Sequence, residues 1–291
     1  MANPENHVQE TPYESVINHT SVCIGTDKYI SGVEIIAYGA DFRRVLTSHC
    51  PGAVKLFDEI LVNGCDRITI AGRGDINITF FEDGRITIRN THSHVRIIDK
   101  TTRDGKTVKL PEFIFGNLNT SSNFGKDEER KVGGAHGLGA KLTNIFSKEF
   151  SVETLSPLDN MVYIQKWSNN MLKVHESEEY DIEDGEEEYT EFSFVPDFAR
   201  LGMTDANETE YKTNFRNMCY MRAMHTSVYL EPKDGLVCWN GTPLNFGIRD
   251  YCTAMLQWRA PGIPINMVYD IISAVSASGA IYRWRVLLAA K

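Results

Sequence analysis

Between Pro51 and Asp66 the apolar residues recur at helical spacing. Val54, Phe57, Ile60, Leu61 and Cys65 spread over one broad side, while Glu59, Asn63 and Asp66 share a narrow polar stripe. The pattern and its Pro-Gly start predict a helix over 51–66. Strand-like runs follow at 67–71, 76–81 and 85–90, the last two flanking a turn at Glu82-Asp83-Gly84. Residues 101–109 are polar and basic and predict a loop, and 111–118 predict a helical or buried segment. A long Ser/Gly/charged stretch, 119–139, leads into 140–146, where a helix is predicted to start near Ala140. Strands are predicted again at 150–155, 162–167 and 191–195. Residues 208–229 predict a helix mixed with a strand, and 234–244 a hairpin around Asn240-Gly241. A Pro-rich break at 260–264 precedes a final strand, 281–289, expected to stand unpaired. The first twenty residues are polar with little periodicity and predict a mobile arm. No internal repeat is present. This order predicts an α+β fold, a sheet with helices gathered on one face.

Composition narrows the functional classes. The chain has 291 residues, 42% of them hydrophobic and 24% charged, as in ordinary globular proteins. A chain of this length is expected to hold roughly two domains and to bury a core without disulfide staples. A formal net charge of -9 argues against a protein whose main task is gripping nucleic-acid phosphates, but leaves room for a small anionic ligand. Nine of the thirteen residues from Glu176 to Glu188 are acidic, which predicts a solvated hairpin or loop. The six cysteines form no CxxC pair and no zinc spacing, as expected of reduced thiols. There is no signal-peptide core and no run of ~18 apolar residues, so an intracellular, soluble protein without a membrane partner is expected. Nucleus, cytoplasm and a viral replication site all fit.

Two constellations carry chemistry. On the polar stripe, a carboxylate such as Glu59 can take a proton from water. The amide oxygen of Asn63 can ligate Mg²⁺. Asp66 can accept hydrogen bonds from a base edge. The plainer reading is an amphipathic helix with polar caps. The second constellation is GAHGLGAK, with Gly134, Gly137 and Gly139 ahead of a helix starting near Ala140. Backbone N–H groups of such a loop, with a helix N-terminus, form a phosphate cradle to which Lys141 adds charge. It is not a Walker A sequence, since Ala140 precedes the lysine and Leu142 stands where Ser or Thr belongs. Its spacing does not fit the Rossmann order either, and a plain flexible loop is the competing account. Together the two features suggest ATP bound outside both familiar nucleotide folds.

Three stretches, PGAVKLFDEILVNGCD (51–66), PEFIFGNLNTSSNFGKDEERKVGGAHGLGAKLTNIFSKEFSVET (111–154) and TEFSFVPDF (190–198), resemble the N-terminal ATPase region of type IIA DNA topoisomerases, above all the eukaryotic and viral branch. Tyr29-Ile-Ser-Gly-Val-Glu34 resembles that family's YIGSVE. The resemblance runs from about Tyr29 to Leu256 and implies the Bergerat (GHKL) sandwich, a mixed β-sheet with helices on one face. It implies a polar arm at 1–28, the ATPase domain at 29–258, and at 259–291 a linker with the first strand of a truncated transducer domain. Glu59 then matches the general base, Asn63 the Mg²⁺ ligand beside the phosphates, and Asp66 a residue lining the nucleotide pocket. Asn90 matches the adenine reader. Ser121, Ser122 and Asn123 match a ribose- and phosphate-contacting turn. Gly134, Ala135, His136, Gly137, Leu138, Gly139, Ala140 and Lys141 match the phosphate loop. ATP with Mg²⁺ is the implied substrate, a homodimer formed on nucleotide binding the implied assembly, and DNA a partner of the full-length enzyme or of a partner subunit.

The sequence departs from that family in two ways. After the adenine reader the family has N/D-x-G-x-G-I-P, whereas this chain has Asn90-Thr-His-Ser-His-Val-Arg96. His92 and His94 replace both glycines and Arg96 the proline. A degenerate, non-hydrolysing dimerisation module is the alternative this motivates. An HxH metal pair is a lesser one. The transducer lysine, the DNA-cleaving tyrosine and its metal-binding carboxylates have no counterpart, so no DNA cleavage is expected of this chain alone. A fragment of a longer enzyme is expected over a separate ATPase subunit. Another Bergerat ATPase, a mismatch-repair protein or chaperone, is argued against by TSSNFGKDEERKVGG.

Overall fold

The computed structural model describes residues 10–38, 41–118, 138–259, 266–275 and 281–290. Two short helices, α1 (Pro12–Asn18) and α2 (Thr20–Ile24), precede a hairpin of β1 (Ile30–Tyr38) and β2 (Asp41–His49). The long helix α3 (Pro51–Ala71) leads into β3 (Ile76–Phe80) and β4 (Ile86–Thr91). A small hairpin, β5 (Asp99–Thr101) and β6 (Thr107–Lys109), feeds α4 (Leu110–Gly116). Then come α5 (Gly139–Ile145), β7 (Ser147–Ser156), β8 (Met161–Ser168), β9 (Lys173–Val174), β10 (Glu178–Tyr180) and β11 (Tyr189–Pro196). Helix α6 (Glu208–Leu230), strands β12 (Val237–Trp239) and β13 (Thr242–Pro243), and helix α7 (Ile248–Arg259) follow. Strands β14 (Asn266–Val275) and β15 (Ile281–Ala290) complete the described chain.

The main sheet runs β10-β8-β7-β11-β4-β3-β12-β13, with β9 beside β8. Only the β12–β3 pair is parallel among the described strands, so the sheet is mixed as expected. Alternate residues point to the helices. Ile86, Ile88 and Asn90 of β4, Thr190, Phe192 and Phe194 of β11, and Phe150, Val152 and Thr154 of β7 are all buried. The apolar ones share one core with Phe57, Ile60 and Leu61 of α3 and Tyr211 and Phe215 of α6. The other described pairs of this sheet are antiparallel and one face is covered, for which a period of two is the signature.

Several sequence expectations need correction. Residues 67–71 form no strand but the end of α3: Ile68 continues the buried stripe of Leu61 and Cys65, and Gly72, at a φ of +76°, ends the helix. Residues 208–230 form one helix without a strand, because Tyr211, Phe215, Met218 and Cys219 are buried at helical spacing. The loop predicted over 101–109 contributes to the β5–β6 hairpin. In the supposed arm, Thr11 and Glu14 form a capping box for α1, and Val16 and Ile24 are buried. Strand β15 is not unpaired, since β14 lies antiparallel to it. The Asn240-Gly241 turn is as predicted, both residues having positive φ. The break at 260–264 lies outside the described residues.

Candidate functional site

Helix α3 carries the polar stripe, and the sequence of α3 explains its position. Gly64 packs on the sheet so closely that a Cβ there would lie 3.3 Å from Ile76 Cδ1 and 3.7 Å from Asn90 Cβ. Asn90 is therefore beside α3 at Gly64, the residue that follows Asn63. Seven residues at 1.5 Å each separate Glu59 from Asp66 by ~10 Å along the helix, with Asn63 between them. The stripe leads from Glu59 past Asn63 towards the Asn90 region.

At the Glu59 end, α5 abuts α3. A Cβ on Gly139 would sit 1.9 Å from Glu59 Oε2 and 2.8 Å from Glu59 Cδ, so no side chain fits there. Thr143 fastens the contact by donating its hydroxyl to the Leu56 carbonyl at 2.9 Å, out of solvent. The other Glu59 oxygen, Oε1, is paired with Lys55 one turn earlier on α3. Of the residues expected to form a phosphate loop, Leu138 and Gly139 are half-buried, and Ala140 and Lys141 are buried. Burial pulls Lys141 down to about 8. Gly134, Ala135, His136 and Gly137, and the turn residues Ser121, Ser122 and Asn123, lie outside the described residues.

At the other end, Asn90 faces two residues that the sequence reading missed. Thr190 stands opposite Asn90 on β11 and opposite Thr154 on β7, and all three are buried. Asn90 Nδ2 and Thr190 Oγ1 both donate to the Ser93 carbonyl, at 3.2 and 3.3 Å. Thr154 Oγ1 accepts from the Val95 N–H at 2.9 Å. A threonine at an inward position of an otherwise apolar strand face, as in Thr190-x-Phe192-x-Phe194, is the signal that could have found Thr190.

No family model matches the chain. Relatives do. DNA topoisomerase 2 of Saccharomyces cerevisiae is 40% identical over 158 residues, which is 53% of this chain and 11% of that protein. DNA topoisomerase 2 top-2 of Caenorhabditis elegans is 28% identical over 297 residues, 99% of this chain and 18% of that protein. The crystal structure of the ATPase region of Saccharomyces cerevisiae topoisomerase II, bound to ICRF-187, superposes with a TM-score of 0.81 at 28% identity, covering 93% of this chain and 71% of that one. This chain is a homologue of the N-terminal ATPase region of type IIA DNA topoisomerases. It spans less than a fifth of the length of either curated relative.

Against the type IIA topoisomerase pattern, the histidine segment is altered in residues but fastened in space. His92 keeps a φ of +55°, a backbone conformation natural to glycine that costs about 1 kcal/mol in an L residue. Its N–H donates to the Glu188 carbonyl at 3.0 Å, and its Nδ1 is 3.8 Å from Glu187 Oε2. His94 Nδ1 is hydrogen-bonded to Glu188 Oε2. Arg96, in the proline position, grips Asp159 with Nε and Nη2 at 2.9–3.0 Å. Asp159 also accepts from the Ile97 N–H at 2.7 Å, and these bonds hold its carboxyl well below the usual carboxylate range. No group of three His, Cys, Asp or Glu side chains suited to a metal exists among the described residues, so the HxH alternative gains no third ligand. All six thiols are free. No described helix is long and apolar enough to cross a membrane.

Proposed function

We propose that the chain binds ATP with Mg²⁺ and hydrolyses it as the N-terminal ATPase region of a type II DNA topoisomerase, with Glu59 as general base. The observation that carries this reading is the contact of Glu59 Oε2 with Gly139. It sets a proton acceptor against the start of α5, at the end of the glycine loop, where a phosphate would be held by backbone N–H groups. Asn63, one turn along, offers the hard oxygen donor that suits Mg²⁺, and with Glu59 it makes an oxygen-rich set fitting that ion. When bound, the ion would neutralise phosphate charge. Glu59 orients a water and accepts its proton, Lys55 holding the other carboxylate oxygen in place. Asn90, backed by Thr190 and Thr154, receives the base edge, and Asp66, a turn beyond Asn63 on α3, lines the pocket there.

The proposed assembly is a homodimer formed on nucleotide binding. In its favour, Ile30, Val33 and Leu46 of the β1–β2 hairpin are exposed, and Val33 and Leu46 are cross-strand partners. DNA would be handled through the rest of a longer enzyme or a partner subunit. Calorimetric titration with a non-hydrolysable ATP analogue tests the site: binding that requires Mg²⁺ supports it, and no binding at millimolar analogue overturns it.

Lys141 gives the site a pH signature. In the free protein it loses its proton near pH 8, and phosphate oxygens favour the ammonium form. Nucleotide affinity should therefore fall as pH rises above about 8, by up to ~10-fold per unit, with proton uptake on binding. Stability of the free protein runs the other way, gaining from this group between about 8 and its ordinary 10.5. Dissociation constants from pH 7 to 9.5, beside a Lys141→Met variant that lacks the slope, check this.

The second reading, a non-hydrolysing module, is favoured by one observation: His92 and His94 occupy the segment over Asn90. His94→Ala separates the two readings. If the His94–Glu188 bond supports the base pocket, the variant binds ATP several-fold more weakly with turnover of the bound nucleotide unchanged. Tighter binding in equilibrium titration would favour the obstructed-pocket reading.

A further inference from the structure

The carboxylate next to the general base faces another way. Asp58 points from α3 to α6, where Arg222 Nε is 3.2 Å from its Oδ2. Its surroundings include Lys55 and Glu59 on its own helix and the wholly buried Cys219 on α6. Burial pushes the Asp58 carboxyl up to about 6 against the opposing pull of Arg222 and Lys55.

Helix α6 also holds the β1–β2 hairpin. Asn214 Nδ2 donates to the Ser48 carbonyl at 2.9 Å and to Tyr29 Oη at 3.3 Å, and Tyr29 donates to Glu210 at 3.2 Å. His49, at the end of β2, is buried with its Nδ1 unpartnered. It lies close enough to Glu34 of β1 and to Arg222 to feel both charges. Arg222 is thus placed between two partners: a hairpin that presents apolar residues to solvent, and the turn of α3 that carries Glu59.

We propose that Arg222 is a positioning residue that, through Asp58, ties the rotational setting of Glu59 to the state of the β1–β2 hairpin. The inference rests on Glu59 acting as general base. A shift of the hairpin when a second copy docks moves α6 at its Tyr29 and Ser48 contacts. Arg222 carries that shift to Asp58, and α3 is too well packed at Phe57 and Ile60, both fully buried, for residue 58 to move without residue 59. Small displacements of a reacting group have large kinetic effects, so a coupling of this kind reads out in turnover rather than in nucleotide affinity.

The test is a double-mutant cycle with Arg222→Gln, Asp58→Asn and both together, read as kcat, KM for ATP and melting temperature. The Arg222 and Asp58 side chains are 44% and 24% exposed, so water can reach the carboxylate left behind and the variant is expected to fold. Arg222→Gln should lower kcat ~10-fold with KM within twofold, and should flatten the rise of rate per chain with protein concentration. The double variant should lose no more than either single one. Arg222→Lys, which keeps the charge, should recover part of the rate. A wild-type kcat in Arg222→Gln, additive losses, or a loss that follows a rise in KM overturns the proposal. Wild type and Glu59→Ala run alongside: turnover independent of Glu59 overturns the general-base reading itself, whereas Glu59-dependent turnover indifferent to Arg222 overturns this inference alone.

Discussion

Glu59→Gln is expected to slow ATP hydrolysis by ~10²–10⁴-fold, the usual contribution of a positioned general base, while Mg-ATP affinity should stay within a few-fold. The substitution keeps the length and shape of the side chain, so the close fit of residue 59 against Gly139 is unchanged. An amide cannot take the proton of water, so only the chemical step is lost. Lys55 loses its partner, but its side chain is 49% exposed and water replaces the carboxylate. Single-turnover phosphate release and an equilibrium titration on the same preparation give the two numbers. A variant that hydrolyses at the wild-type rate would remove Glu59 from the chemistry.

Gly139→Ala is expected to lose both binding and turnover. The added methyl would lie 1.9 Å from Glu59 Oε2, a distance at which atoms must move. Helix α5 is tied to α3 through Thr143 and the Leu56 carbonyl, so relief requires the Glu59 carboxylate to swing off α5 and leave its place beside Lys55. Overpacking of this kind costs about 1–3 kcal/mol. Nucleotide affinity should drop by more than ~10-fold, since the start of α5 cannot keep its place, and turnover should fall to background. Adding Glu59→Ala to Gly139→Ala removes the clashing carboxylate, and should restore the melting temperature without restoring turnover. Equal melting temperatures for the single and double variants would show that the clash is not what destabilises the protein.

Local pattern made legible the parts of the candidate site that are local. The stripe of Glu59, Asn63 and Asp66 is visible because one helix carries all three residues at 3.6-residue spacing. The start of α5 is visible because the glycines of 134–139 give way at Ala140 to a stretch without glycine or proline. What escaped depends on contacts between distant segments. Thr190 and Thr154 matter because β11 lies between β4 and β7, a strand order no local pattern gives. The burial of Lys141 depends on what α5 packs against. The strand predicted at 67–71 rested on β-branched residues, and the packing of Ile68 overrides that preference. Similarly, Val16 and Ile24 gain their place from the core beneath them, which a polar N-terminal composition conceals. The resemblance supplied family and fold, while the fastening of the histidine segment by Glu188 and Asp159 required coordinates.

Steady-state hydrolysis of Mg-ATP by the unaltered chain, followed over a wide range of protein concentration, tests the central claim most directly. The account predicts phosphate release that saturates with ATP, requires Mg²⁺, and rises per chain with concentration before levelling as dimers form. Nucleotide bound at every concentration with phosphate release never above background would contradict it.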